Sequence, residues 1–102
     1  MRRKSVPETQ YRGSRFCRIL GNPTAYQIIR YLSKGTATPS ELAEEIGLSL
    51  STICCTLRTL RNIDVVRYEI NDKSKVYFLK DETIAEIVKS IEKFVRHMRF
   101  LQ

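Results

Sequence analysis

The sequence has few of the residues that catalysis, disulfide bonding or membrane insertion require. It contains one histidine, no glycine-rich phosphate loop and no paired carboxylates in an apolar setting, so we expect no enzymatic activity. Three cysteines cannot form a disulfide framework, and they suit a reducing compartment. No apolar run is long enough to span a membrane, and no apolar core follows the basic N-terminus as in a secretory signal. We therefore expect a cytoplasmic protein.

The length and the charge narrow the choice of partner. A chain of 102 residues forms one modest domain that buries roughly two-thirds of its unfolded surface. Its 18 basic and 11 acidic residues give a net charge of +7. This positive charge favours nucleic acid as the partner, with membrane surfaces and acidic proteins as alternatives.

The N-terminal segment is the most basic part of the chain. Residues 1–18 carry +5 of the total charge, because one acid, Glu8, stands against six cations, which are Arg2, Arg3, Lys4, Arg12, Arg15 and Arg18. Residues 1–10 also contain a proline and little apolar content, so we expect a flexible basic arm there and a single domain over residues 11–102. The arm either only solubilises the chain or reaches phosphates or a groove of DNA.

Apolar residues at helical spacing predict two helices in the N-terminal third. The first ends near Leu20, because Gly21-Asn22-Pro23 breaks the pattern. Asn22 is a good helix cap and Pro23 suits the first helical position, so a second helix begins there.

The next segment has the spacing of a helix-turn-helix. Thr38-Pro39-Ser40-Glu41 is a capping box that begins one short helix, Gly47 ends it, and Ser49 caps a second helix. The exposed face of this second helix is small, polar and basic, and no acid occurs from Ser49 to Asn62. Such a face suits the major groove of DNA, although small helical proteins also contain short helices joined by a glycine turn.

A period of two predicts strands over residues 65–70 and 75–79, joined by a polar turn over 71–74. Two lysines place positive charge at the tip of this wing, where it can rest on phosphates, although solvated hairpins are commonly polar as well. Serine and threonine at the start of the second short helix, with Cys55 and Arg58, are expected to read the sequence of DNA. The candidate DNA-binding residues are Ser49, Ser51, Thr52, Cys55, Arg58, Arg61, Lys73 and Lys75.

A long apolar stripe marks the last helix. Asp81-Glu82-Thr83 begins it, and apolar residues recur near a heptad rhythm from Ile84 to Leu101. The stripe either packs on its own domain or forms a dimer seam with the equivalent helix of a partner. We favour the dimer, since so small a domain has little core left to cover the stripe.

Residues 20–32, 40–60 and 65–79 together resemble the opening, the helix-turn-helix core and the wing of ArsR-type winged helix-turn-helix repressors. The resemblance covers roughly residues 14–100. It implies a mainly α fold with a small β-hairpin and with long N- and C-terminal dimerisation helices. It also implies a homodimer that binds a pseudo-palindromic operator through the helix beginning near Leu50.

Two departures from the family pattern stand out. The family usually has glycine at the position of Asp64, although aspartate tolerates a left-handed turn. It often has serine and histidine at the positions of Cys54 and Cys55, so the details of base reading can differ.

Neither common metal site of this family is intact. The helix before the recognition helix has no cysteine, and the last helix retains only Asp81 and His97, so we expect no metal or other cofactor. Cys55 either acts as a redox switch or, like Cys54, serves only as a small side chain. Cys17 is expected to be buried in the first helix.

The sequence therefore predicts a double-stranded DNA-binding transcription regulator, acting as a homodimer through its first and last helices and with no membrane partner. The alternative is a winged-helix protein–protein interaction module without specific DNA binding, in which the second short helix meets a partner protein.

Overall fold

A computed structural model describes residues 5–98. It contains five helices and one two-stranded antiparallel hairpin, which confirms the expected winged helix-turn-helix fold. The elements are α1 (Glu8–Leu20), α2 (Pro23–Leu32), α3 (Pro39–Ile46), α4 (Leu50–Asn62), β1 (Val66–Asn71), β2 (Ser74–Leu79) and α5 (Glu82–Met98). The expectations for Arg2, Arg3, Lys4 and Leu101 lie outside the described residues.

The predicted caps set the starts of α2 and α3. The Asn22 side chain accepts a hydrogen bond from the Ala25 amide at 3.0 Å. In the capping box, the Thr38 amide donates to Glu41 Oε1 at 2.9 Å, and the Glu41 amide donates to Thr38 Oγ1 at 3.2 Å. Gly47 has a φ of 81°, so the turn between α3 and α4 uses the left-handed conformation that glycine adopts without strain.

The first helix begins earlier than the sequence suggested. Residues 8–10, which were expected to belong to the flexible arm, lie in α1. Glu8 lies in the first turn, where a negative charge interacts favourably with the helix dipole. It also forms an ion pair with Arg12, one turn later, at 3.2 Å.

The hairpin has a two-residue turn and is attached to the helices. Asp72 and Lys73 both have positive φ, at 49° and 67°, as a tight turn between right-twisted strands requires. Tyr77 on β2 exchanges backbone hydrogen bonds of 2.8 and 3.1 Å with Ala37, in the loop before α3. This attachment supports a hairpin that would be marginal alone.

The core lies between α2, α3, α4 and the base of the hairpin. Its fully buried side chains are Ile28, Ile29, Leu42, Ile53, Leu57, Leu60 and Val66. Three of these belong to one face of α4, so the core fixes which face of α4 is directed to solvent.

Asp64 adopts the left-handed turn expected of it, with a φ of 63°. Its carboxylate accepts hydrogen bonds from Lys80 and from Arg67, the latter at 3.3 Å. These bonds, the one from Lys80 first, hold the pKa of Asp64 below its usual range. The residue therefore links the end of α4 to both ends of the hairpin.

A second polar cluster joins α2 to α5. Glu92 Oε2 accepts hydrogen bonds from the Tyr26 hydroxyl and from Arg30 Nε, both at 2.9 Å. The bonds from Arg30 and Tyr26 lower the pKa of Glu92, while partial burial and the bond to Glu92 raise the pKa of Tyr26. We call these three residues the α2–α5 cluster.

Candidate nucleic-acid interface

The core-facing residues of α4 orient its opposite face outward. Because Ile53, Leu57 and Leu60 are fully buried, the polar positions between them lie on the exposed side of the helix. All eight candidate DNA-binding residues are exposed in the structure. Six belong to α4 or its cap, and the two lysines lie on the hairpin. The structure thus leaves every predicted side chain accessible.

The start of α4 is held by Ser49. Its hydroxyl accepts a hydrogen bond from the Thr52 amide at 3.1 Å and donates one to Thr52 Oγ1 at 2.9 Å. Ser49 therefore acts first as a helix cap, and it orients the Thr52 side chain. The neighbouring Leu50 was not among the predicted residues, and its side chain is 49% exposed at the first helical position.

Residues of α3, α4 and the hairpin surround a groove on one side of α4, which we call the wing-side groove. Its volume is ≈ 400 Å³. Three cations and no carboxylate line it, together with uncharged side chains; the lining residues are Pro39, Cys54, Arg58, Arg61, Asn62, Lys75 and Tyr77. The groove brings together three of the predicted residues, Arg58, Arg61 and Lys75. Lys73 is not among them, because it lies in the turn at the tip.

One aromatic ring orders two of these cations. The guanidinium carbon of Arg61 lies 5.1 Å from the centre of the Tyr68 ring, and Lys75 Nζ lies 4.8 Å from the same centre. Both distances are within the range of cation–π attraction. Tyr68 is half-buried, and its contact with both cations was not predicted from the sequence.

A second groove, of ≈ 380 Å³, lies on the other side of α4, against the corner between α1 and α2. It is lined by Arg18, Ile19, Asn22, Ala25, Cys55, Thr56 and Thr59. Two hydroxyls here donate to the backbone of α4: Thr56 Oγ1 to the Thr52 carbonyl at 3.0 Å, and Thr59 Oγ1 to the Cys55 carbonyl at 3.4 Å. Arg18 was noted only as part of the basic N-terminal segment, since nothing in the local sequence reveals that it lies beside α4.

The adjacent cysteines of α4 line different grooves. Cys54 lies in the wing-side groove and Cys55 lies in the groove beside Arg18, and both are exposed. Successive residues of a helix are about 100° apart, which explains the separation.

The cations of α4 and of the hairpin tip lack carboxylate partners. Within residues 5–98, no Asp or Glu oxygen lies within 4.0 Å of the charged groups of Arg58, Arg61, Lys73 or Lys75. At the base of the hairpin, by contrast, Arg67 and Lys80 both pair with Asp64. The positive charge at the exposed face of α4 is therefore uncompensated, and it attracts an anionic partner.

The opposite side of the domain exposes apolar surface. On α5, Phe94, Val95 and Met98 are 63%, 47% and 42% exposed. Next to this face, an open apolar cavity of ≈ 480 Å³ lies between α1, α2 and α5. Cys17 lines this cavity and is exposed, so its predicted burial is wrong in the single chain. The reason is that α1 directs Phe16, Ile19 and Leu20 toward the core instead.

No group of three or more His, Cys, Asp or Glu side chains in the described part of the chain is arranged to hold a metal ion. None of the helices within residues 5–98 is both long enough and apolar enough to cross a membrane.

The sequence is similar to a known domain family and to a known regulator. A family model described as a helix-turn-helix domain matches residues 20–69, which run from the end of α1 into β1. The HTH-type transcriptional regulator NmtR of Mycobacterium tuberculosis (strain ATCC 25618 / H37Rv) is 33% identical over 69 residues. The match covers 68% of this chain and 58% of that regulator, so the chain spans less than two-thirds of the relative's length.

Solved structures share the fold along nearly the whole chain. The homodimeric winged helix-turn-helix DNA-binding domain of Mb0332 from Mycobacterium bovis, a possible ArsR-family transcriptional regulator, is 18% identical with a TM-score of 0.83. The alignment covers 100% of this chain and 96% of that one. The transcriptional repressor BigR from Xylella fastidiosa is 22% identical with a TM-score of 0.73, over 85% of this chain and 92% of that one.

Proposed function

Since this chain is a winged helix-turn-helix protein of the ArsR type, we propose that it is a sequence-specific regulator of transcription that binds double-stranded DNA as a homodimer. The observation that carries this proposal is the combination of an acid-free exposed face on α4 with cations that have no carboxylate partner among residues 5–98. A face of this kind attracts anions, and phosphates flank the major groove into which a helix fits.

The residues divide by the contact that each would make. Ser51, Thr52, Cys55 and Arg58 occupy the exposed face of α4 and would read base edges. Arg61, Lys73 and Lys75 lie toward the wing and would contact phosphates. Ser49 would contribute indirectly, by capping α4 and orienting Thr52. The basic residues that precede α1 in the sequence would add phosphate contacts.

The homodimer proposal rests on the apolar surface of α5 and α1. Exposed apolar side chains at Phe94, Val95 and Met98 continue the stripe that Val88 and Ile91 begin against the core. Contiguous exposed apolar surface of this kind marks association sites. The Mb0332 domain is homodimeric, and a two-fold dimer would present two copies of α4 to a pseudo-palindromic operator.

A dimer bound across a promoter would repress transcription by steric block. BigR, which has the same fold, is named a transcriptional repressor. Three cysteines without a disulfide among the described residues suit the reducing cytoplasm, where such a regulator would meet its DNA.

Fluorescence anisotropy tests this function. Two labelled duplexes are titrated, one from upstream of the protein's own gene and one of scrambled sequence, each at two salt concentrations. We expect tight binding that prefers the upstream duplex and weakens steeply with salt, because counterions are released from phosphates. A parallel titration with and without reductant tests whether Cys55 acts as a redox switch.

Other outcomes would overturn the proposal. Equal and weak binding to both duplexes would indicate a non-specific role. Absence of binding at low salt would favour the alternative of a protein–protein interaction module, whose affinity depends less steeply on salt.

A further inference from the structure

We propose that the wing-side groove binds a phosphate of the DNA backbone, and that Tyr68 is the positioning residue that holds Arg61 and Lys75 ready for it. The inference rests on the proposed DNA-binding function and identifies how one part of that site is organised.

The Tyr68 ring is supported from behind by the core. Tyr68 on β1 and Tyr77 on β2 are directly opposite in the hairpin register, and their ring centres lie 5.3 Å apart in a tilted arrangement. Tyr77 is buried. Its backbone amide donates a hydrogen bond to the Ala37 carbonyl, and its carbonyl accepts one from the Ala37 amide. The Tyr68 ring is therefore held in position by packing against a buried ring, unlike the side chains at the tip of the hairpin.

Two cations from different elements converge on this ring. Arg61 belongs to the last turn of α4 and Lys75 to β2, yet both lie about 5 Å from the ring centre, at 5.1 and 4.8 Å. Like charges repel, and no carboxylate lines the groove to compensate them. The electron-rich ring offsets part of this repulsion, and an anion placed between the two cations would remove the rest.

The position of the groove favours a phosphate of DNA over a free anion. The groove adjoins the exposed face of α4 through Arg58, so an α4 inserted in the major groove brings the neighbouring backbone to it. A planar guanidinium suits two phosphate oxygens and an ammonium suits a point contact, so Arg61 and Lys75 can share one phosphate.

The experiment compares Tyr68→Leu with Tyr68→Phe, because phenylalanine keeps the ring and loses only the hydroxyl. Affinity for the upstream and scrambled duplexes is measured by anisotropy across a salt series. We expect Tyr68→Leu to weaken both complexes by about tenfold, because Arg61 and Lys75 are no longer held in position for the phosphate, with the preference between duplexes unchanged. Tyr68→Phe should stay within about twofold of the natural protein, since its ring still attracts both cations.

Three further variants keep the test valid if Tyr68→Leu folds poorly. Arg61 and Lys75 are exposed, so Arg61→Ala, Lys75→Ala and the double variant should fold normally. The salt-dependence slope is the slope of the logarithm of the binding constant against the logarithm of the salt concentration, and each phosphate contact adds about 0.9 to its magnitude. If both cations share one phosphate, the slope of the double variant is smaller by about 0.9. If they contact separate phosphates, it is smaller by about 1.8. Circular dichroism and thermal unfolding verify the fold of each variant.

Several outcomes would overturn the inference. An unchanged affinity and slope in Tyr68→Leu, an equal loss in Tyr68→Phe, or a slope loss near 1.8 in the double variant would each do so. Inorganic phosphate, added at constant ionic strength, should compete no better than chloride; strong competition that the double variant abolishes would assign the groove to free phosphate. If the natural protein binds neither duplex, the DNA-binding function itself fails, which is a distinct result.

Discussion

On α2, Arg30 Nε donates a hydrogen bond to Glu92 of α5 at 2.9 Å, and the same carboxylate oxygen accepts from Tyr26. On α4, neither Arg58 nor Arg61 has a carboxylate within 4.0 Å among residues 5–98. The charge of Arg30 is thus used within the fold, while the charges on α4 remain available to a partner. The location of unpaired cations, rather than the net charge of +7, therefore distinguishes a surface suited to an acidic partner from charge used within the fold.

The largest expected effect is the loss of DNA affinity in Arg58→Ala. If Arg58 makes a bidentate contact with a guanine edge, the variant should lose about 1–3 kcal/mol of binding to the upstream duplex. Anisotropy measures this loss, and Arg30→Ala is the matched control, because it removes the same type of side chain from the α2–α5 cluster. Equal losses of affinity in both variants would show that the unpaired Arg58 is no more important for DNA binding than the paired Arg30.

The next effect concerns the stability of the α2–α5 cluster. Glu92→Gln should lower the free energy of unfolding by about 0.5–1 kcal/mol at pH 7, since the ion pair with Arg30 is partly exposed. Chemical denaturation at fixed protein concentration measures it, with Glu86→Gln on the same helix as the control. A Glu92→Gln protein as stable as the control would show that the cluster contributes nothing.

This contribution should depend on pH in a defined direction. The pKa of Glu92 is lowered in the folded protein. Its stabilisation is therefore fully present above the pKa of the unfolded carboxyl, about 4.3, and is lost as the pH falls through the lower folded-state value. The difference in stability between the natural protein and Glu92→Gln should shrink between pH 7 and pH 3. A constant difference would contradict the assignment.

A smaller effect separates the two sides of α4. Arg18 lies beside Cys55 in the groove against α1 and α2, and no carboxylate lines that groove. We expect Arg18→Ala to lower the salt-dependence slope by about 0.9, equally for the upstream and scrambled duplexes, as for the loss of one phosphate contact. Arg12→Ala is the control, because Arg12 is paired with Glu8. A change in sequence preference would instead make Arg18 a base-reading residue.

The smallest effect is expected at the tip of the wing. Lys73 lies in the two-residue turn and outside the wing-side groove, so its long side chain is unsupported. Lys73→Ala should therefore reduce the slope by clearly less than 0.9. Asparagine adopts a positive φ more readily than alanine does. Lys73→Asn therefore serves as the control for backbone strain at this position. If Lys73→Ala lost as much affinity for the upstream duplex as Arg58→Ala, the tip of the hairpin would be a principal contact with DNA.

Local chemistry explains why much of this fold could be predicted. The capping box at Thr38 and Glu41 needs only a spacing of three residues, and the cap at Ser49 is equally local. The turn at Asp72 and Lys73 and the left-handed Asp64 also depend on their immediate neighbours. These features fix the helix-turn-helix and the wing, and through them the exposed face of α4.

What could not be predicted depends on contacts between distant parts of the chain. Tyr26 and Glu92 are 66 positions apart, and no periodicity links them. The approach of Arg18 to Cys55 and the exposure of Cys17 follow from how α1 packs against the core. The convergence of Arg61 and Lys75 on Tyr68 requires α4, β1 and β2 to be placed together.

The salt dependence of binding to the upstream duplex shows whether the unpaired cations of α4 and the hairpin account for binding to DNA. Its slope is measured for the natural protein, for Arg30→Ala and for a variant with alanine at Arg58, Arg61 and Lys75 together. The unpaired cations should account for the binding, so the triple variant should lose at least about 0.9 of slope and most of its affinity, while Arg30→Ala keeps both. A triple variant that binds as tightly and as steeply as the natural protein would contradict the account.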